Sequence, residues 1–253
     1  MLLDGDTIKP DPSKTAGLRE WPRTLKSVKE VRSTLGILNY HCAFVPGFSH
    51  IVRPLTRLLK KNELFLWTPT CTKALNRIID ILTNEPVLTH PDPNKEFELE
   101  VDASNFATGA ILFQRDERGK PRPIGFHSKT LSPAEQNYDI YDKELTALDR
   151  GLEVWRHLLI NAHTTIHTDH ANLTYYRNPQ KLTPRAKRAV ACIMQYDFTI
   201  KHKLGILNKA DALSRRPDYP QNSEEQHMTA FPESMFIDAI QSDTLLPAIQ
   251  DAQ

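Results

Sequence analysis

Long apolar runs are missing from this 253-residue chain, and none approaches the ~20 residues needed to cross a bilayer. The opening Met1-Leu-Leu-Asp-Gly-Asp6 lacks the basic start and apolar stretch of a secretory signal. Cysteine is scarce: Cys42, Cys71 and Cys192 are widely separated and odd in number. That argues against a disulfide framework or a cysteine-built zinc site, and it sets the expectation of an intracellular protein, cytoplasmic or nuclear, with no membrane partner. Lys and Arg are absent from residues 217–253, which carry seven acids. Residues 1–216 therefore hold 32 Lys or Arg against 24 Asp or Glu, a net of +8 hidden beneath an overall +1. A body of that sign suits a polyanion such as nucleic acid.

Periodicity divides what remains. Residues 1–22, rich in Pro, Asp and Lys, read as a connecting segment. Residues 23–94 read as a small helical unit. Ser27-Val-Lys-Glu30 matches a capping box ahead of Val28, Val31, Leu35 and Leu38, and a second helix is expected over residues 51–61. Thr68-Pro69 opens a third, which Glu85-Pro86 closes. From residue 95 to 216 the pattern becomes α/β. Phe97, Leu99 and Val101 alternate with Glu96, Glu98 and Glu100, predicting a strand with one wet face. Further strands are expected at residues 107–114, 124–128, 164–168 and 198–202, with a hairpin at Asp116-Glu-Arg-Gly-Lys120. A long helix is expected from Ser132 to about residue 160, a short one over 170–176, a basic one from Thr183 to about 196, and a last one over 208–215. Residues 217–253 read as an acidic linker.

Four carboxylates stand at awkward places in that order. Asp102 and Asp169 end strand-like runs, Glu144 interrupts an amphipathic helix, and Asp211 opens the last helix. One such residue alone is most simply a cap or turn former. Four of them on separate elements would repel one another unless divalent cations lay between, and oxygen-only ligands suit Mg²⁺. Arg177, Lys181, Arg185, Lys187 and Arg188 form the densest basic cluster, interleaved with Tyr175 and Tyr176. They are candidate nucleic-acid contacts, as are Ser104, Asn105 and Asn208, although a charge run is as often a solvated face. His163, His167, His170 and His202 crowd the same region, and strand alternation or capping accounts for them better than metal binding.

The motifs resemble a known family. Phe44-Val-Pro-Gly-Phe-Ser49, Phe65-Leu-Trp67, Phe126-His-Ser-Lys129, His167-Thr-Asp-His170 and Ala210-Asp-Ala-Leu-Ser-Arg215 are similar to segments of a gypsy-type LTR-retrotransposon Pol polyprotein. The stretch runs from reverse-transcriptase thumb and connection through ribonuclease H. The resemblance implies a ribonuclease H-like fold, a mixed five-stranded sheet with flanking helices behind the helical thumb/connection unit. It implies cleavage of the RNA strand of RNA–DNA hybrids with two Mg²⁺, or Mn²⁺ in their place, held by Asp102, Glu144, Asp169 and Asp211. Expected partners are the hybrid and, from the same polyprotein, a palm and fingers unit and an integrase. The parent family is also an RNA-directed DNA polymerase, yet the polymerase motif (an aromatic, any residue, two aspartates) is absent from this sequence. Departures from the family pattern occur at Val101, at Thr34, where Phe is usual, and at His41-Cys-Ala43, where an aromatic and two basic residues are usual. They leave open a catalytically silent or domesticated remnant that binds nucleic acid or protein. An integrase-like transferase is rejected, because no acidic residue stands near Gly205.

Overall fold

The structure is a computed structural model and describes residues 1–61, 63–84, 87–169 and 183–202. The helical unit begins earlier than its periodicity predicts. Residues 1–22 contain β1 (Leu2–Asp4), β2 (Thr7–Lys9) and α1 (Pro12–Arg19), and Leu18 of α1 is fully buried. A further strand, β3 (Leu88–Thr89), pairs with β2 at Ile8, so this unit carries a small sheet besides its helices. Strands of two or three residues leave too little alternation to be seen in sequence.

Helix α2 (Val28–Tyr40) starts on Ser27, whose hydroxyl meets both Glu30 N and Glu30 Oε1, while the other Glu30 oxygen accepts from Lys26 N in place of the Ser27 N–H of a full capping box. The single helix expected over residues 51–61 is two short ones, α3 (Phe48–Ile51) and α4 (Arg53–Arg57), divided at Val52 just ahead of Pro54. A proline there removes a donor and crowds the preceding turn. Helix α5 (Pro69–Thr83) follows Thr68; its end at Glu85-Pro86 lies outside the described residues. The family departures have local partners. Thr34 is buried and accepts from Trp21 Nε1 at 3.1 Å, and His41 is buried with Nδ1 3.3 Å from Ile37 O, its pKa lowered by that burial.

The second unit is a five-stranded mixed sheet whose strands lie in the order β6 (Pro121–Thr130), β5 (Ala107–Arg115), β4 (Phe97–Ala103), β7 (Thr164–Thr168) and β8 (Phe198–His202). Strands β4, β5 and β6 are antiparallel neighbours. Strands β7 and β8 add on in parallel. The long helix expected from Ser132 is three: α6 (Pro133–Gln136), α7 (Ile140–Val154), capped by Asp139, and α8 (Arg156–Leu159). Helices α7 and α9 (Pro184–Ile193) pack together on one sheet face, burying Leu145, Leu148, Leu152, Val190 and Ile193 against Leu99, Val101, Leu112 and Ile166. The helices expected over 170–176 and 208–215, and the linker from 217, lie outside the described residues. No described helix is long and apolar enough to cross a membrane.

Strand β4 departs from its predicted wet face. Glu96 is exposed, but Glu98 and Glu100 are 8% and 1% exposed. Glu98 is covered by its partners: Arg115 donates to both its oxygens and His167 Nε2 lies 2.6 Å away, with Phe113 stacked on the imidazole. Burial pulls Glu98 toward neutrality, but the bonds from Arg115 and His167 outweigh it and hold the carboxyl below its usual range. A depressed carboxylate stabilises the fold above its unfolded pKa, and that stability is lost as pH falls through the folded value. Glu98→Gln should therefore cost about 1–3 kcal/mol at pH 7, a difference that shrinks below about pH 4. Urea melts of both proteins at pH 7 and pH 3.5 check this.

Helix α7 lies close to the sheet at Gly151, where an added Cβ would sit 3.2 Å from Val101 Cγ1 and 3.4 Å from both Ala110 Cβ and Leu99 Cδ2. A methyl group needs a few tenths of an ångström of give, and the roughly 1 kcal/mol that Ala gains over Gly in a helix offsets that. A leucine has no room. Gly151→Ala should be near neutral and Gly151→Leu destabilising by about 1–3 kcal/mol or more, measured by chemical denaturation.

Candidate active site

Parallel pairing brings two of the expected carboxylates together. Phe97 of β4 lies opposite Thr164 of β7, and Glu100 opposite His167. Two rows further, the same register sets Asp102 beside Asp169, the residue that follows β7. Glu144 arrives from α7, two residues after Asp142. Asp102 and Glu144 are each 2% exposed, and Asp169 is half-buried. One carboxylate oxygen from each of the three lies within 4.8 Å of the others, the one such grouping of potential metal ligands among the described residues. Asp211 lies outside the described residues, as do Arg177, Lys181 and Asn208.

Several contacts fix these elements. His202 Nε2 lies 2.9 Å from the carbonyl oxygen of Asp169, to which it can only donate, and this ties the residue that follows β7 to the end of β8. Where α7 begins, Asp142 is buried, and burial together with the neighbouring Asp139 raises its pKa. Thr183 Oγ1 at 3.4 Å and Arg185 Nη1 at 3.7 Å pull the other way and link the starts of α7 and α9. Arg185 also lies over the Tyr138 ring, 3.7 Å from its centre, so it is engaged within the protein, whereas Lys187 and Arg188 are exposed on α9. Ser104 builds the β4–β5 turn, its hydroxyl accepting from Phe106 N at 3.2 Å and Ala107 N at 3.1 Å. Asn105 is exposed in that turn, and its Oδ1 accepts from Lys143 Nζ at 2.7 Å.

Sequence reasoning passed over Lys143 and the bracing role of His202. Lys143 is 7% exposed although it is a lysine beside a glutamate on a helix. Its only sequence signal is its place off the apolar stripe, where a solvated face is the default. His170 lies outside the described residues, and the other three histidines form no metal group among the described residues: His163 meets Asp197 and Thr199, His167 meets Glu98, and His202 meets the Asp169 carbonyl.

Known proteins share this fold and long stretches of this sequence. Residues 67–166 match the family described as the RNase H-like domain found in reverse transcriptase. That match begins within the helical unit at Trp67 and spans Asp102 and Glu144, stopping short of Asp169. The foamy viral protease–reverse transcriptase in complex with an RNA/DNA hybrid shares the fold, with TM-score 0.67 and 19% identity over 85% of this chain and 29% of that one. The same protein with double-stranded DNA gives 0.65, at 19% identity over 77% and 42%. These elements therefore define an RNase H-like α/β domain of the reverse-transcriptase kind. The Transposon Tf2-3 polyprotein of Schizosaccharomyces pombe is 39% identical over 210 residues, 79% of this chain and 16% of that protein, and the Tf2-12 polyprotein of the same organism gives the same figures. The chain belongs to the Pol polyproteins of LTR retrotransposons and spans about a sixth of the length of the curated relatives it matches.

The three carboxylates fit a hard divalent cation: all are oxygen donors, each on a different element, and two are buried. Without a cation they repel one another. Asp102→Asn should leave the metal-free protein as stable as the parent, or more stable by up to about 2 kcal/mol at low salt. Millimolar Mg²⁺ should raise the Tm of the parent and not of the variant. Equal Mg²⁺ responses in thermal melts would remove Asp102 from the metal site.

Proposed function

We propose that the chain is a ribonuclease H that hydrolyses the RNA strand of RNA–DNA hybrids with divalent cations, leaving 5′-phosphate and 3′-hydroxyl ends. The observation that carries this is the convergence of Asp102, Glu144 and Asp169 within 4.8 Å. These three would hold Mg²⁺, or Mn²⁺ in its place, and Asp211 is proposed as the fourth ligand. Bound cations would supply an activated water and neutralise charge on the scissile phosphate. The chain's own residues fix that place: β4 and β7 hold two carboxylates side by side and α7 holds the third. The Asn105 turn lies at the same end of β4, suited to ribose 2′-hydroxyls in the wide minor groove of a hybrid. Lys187 and Arg188 would contact backbone phosphates without reading sequence.

In this reading residues 95–216 carry the chemistry, residues 23–94 form the thumb and connection, and residues 217–253 lead toward an integrase region. Palm, fingers and integrase of the parent polyprotein are proposed partners. Three ionisable carboxylates kept together favour catalysis over a silent remnant, because a merely binding domain gains nothing from their repulsion. A labelled hybrid incubated with Mg²⁺ and with EDTA tests the proposal. Cleavage should need Mg²⁺, and Asp102→Asn should reduce it by about 10²–10³-fold or more, the scale for losing a main electrostatic stabiliser. Cleavage that persists in EDTA, or a folded Asp102→Asn protein that cuts at the parental rate, would overturn it.

A further inference from the structure

Lysine is almost never buried without a partner, because its ammonium is costly to strip of water. Lys143 is nonetheless 7% exposed, directly before Glu144 on α7. Its Nζ lies 2.7 Å from Asn105 Oδ1, a short charge-assisted bond that spans 38 residues of sequence. Asn105 belongs to the turn between β4, which carries Asp102, and β5. Ser104 folds that turn locally through its bonds to Phe106 N and Ala107 N, and Leu131 N donates to Phe106 O at 2.8 Å. Those bonds shape the turn and tie it toward β6, while the bond from Lys143 ties it to the helix that bears Glu144. Asn105 is exposed to solvent as well as held by Lys143, so a fixed side chain lies at the surface.

We infer that Lys143 is a positioning residue for nucleic-acid recognition. Its ammonium holds Asn105, and with it the β4–β5 turn, at a set place beside Asp102 and Glu144. A hybrid then meets a turn already ordered, and binding does not have to order it. The consequence for recognition rests on the nuclease reading, whereas the clamp itself does not.

The test uses the full chain and four variants: Lys143→Met, Lys143→Arg, Asn105→Ala and the Lys143→Met/Asn105→Ala pair. Two readouts are taken, amide hydrogen exchange at residues 105–107 and steady-state cleavage of a hybrid in Mg²⁺. Lys143→Met should speed exchange at 105–107 about tenfold relative to the amides of β5, and Lys143→Arg should restore most of the protection. KM for the hybrid should rise about three- to tenfold in Lys143→Met, with kcat within twofold of the parent. Asn105→Ala should raise KM similarly, and the pair should be no worse than Asn105→Ala alone, the non-additivity expected of two groups sharing one bond. Unchanged exchange at the turn, additive KM effects, or a lower Tm with an unchanged KM would each overturn the inference. If the parent chain cuts no hybrid, the nuclease reading fails and exchange at the turn still decides the clamp. Should Lys143→Met not fold, Lys143→Arg and the exposed Asn105→Ala carry the same comparison.

Discussion

Like charge held at close range governs this structure. Two carboxylates about 5 Å apart repel by a few kcal/mol at the effective dielectric of a protein, and here three converge, two of them nearly inaccessible to water. Nothing in a flexible chain would keep them together. Parallel pairing of β4 with β7 sets Asp102 and Asp169 side by side, and the packing of α7 on that sheet delivers Glu144. The apolar layer beneath, from Leu99 and Val101 to Leu148 and Leu152, opposes the repulsion, and Gly151 lets the helix approach closely enough to do so. In the proposed nuclease, stability is given up at one end of the sheet for chemistry there, as functional sites commonly require.

Much of this was legible in the sequence because its signals are long or redundant. Five strands of the main sheet, the apolar stripe of α7 and the starts of α2, α5, α6 and α9 all announce themselves by period and capping, whereas the start of α7 on Asp139 was hidden inside one long expected helix. Asp102, Glu144 and Asp169, which the structure brings together, stand out in sequence because each breaks its local pattern, while Asp211 lies outside the described residues. What escaped has particular physical causes. Strands β1, β2 and β3 are too short to alternate visibly. Glu98 and Glu100 looked solvated because alternation reports polarity, and polarity does not reveal that Arg115 and His167 lie over one of them. Lys143 was hidden for the same reason: its partner Asn105 is 38 residues away in sequence.

The two units also share more than their junction in sequence suggests. Phe126 of β6 packs into the apolar cluster of the helical unit, and Ser49 N donates to Ser128 Oγ at 2.9 Å. Arg53 of α4 lies over the ring of Phe106, in the same turn that carries Asn105. The helical unit therefore covers one edge of the main sheet and touches the turn beside the carboxylates. A cut at residue 95 would bare apolar surface as well as remove charge, so loss of nucleic-acid affinity in a shortened chain would not by itself mark residues 1–94 as a grip.

Charge placement carries a last consequence for the nuclease reading. In that reading the net positive body of the chain would draw in a polyanion, but its centre is a knot of carboxylates that would repel the phosphate to be cut. Divalent cations reverse the sign of that centre. Cation and nucleic acid then each favour the binding of the other, and linkage requires the two effects to be equal in free energy. Long-range attraction by exposed residues such as Lys187 and Arg188 is screened by salt, whereas the cation-dependent contact at the buried centre is screened far less. Encounter should thus follow ionic strength, and engagement of the scissile phosphate should follow the divalent ion. A surface that is positive all over could not separate the two, because it would hold any backbone anywhere. On the nuclease reading, acidic residues at the place of chemistry would make the metal a condition for close approach.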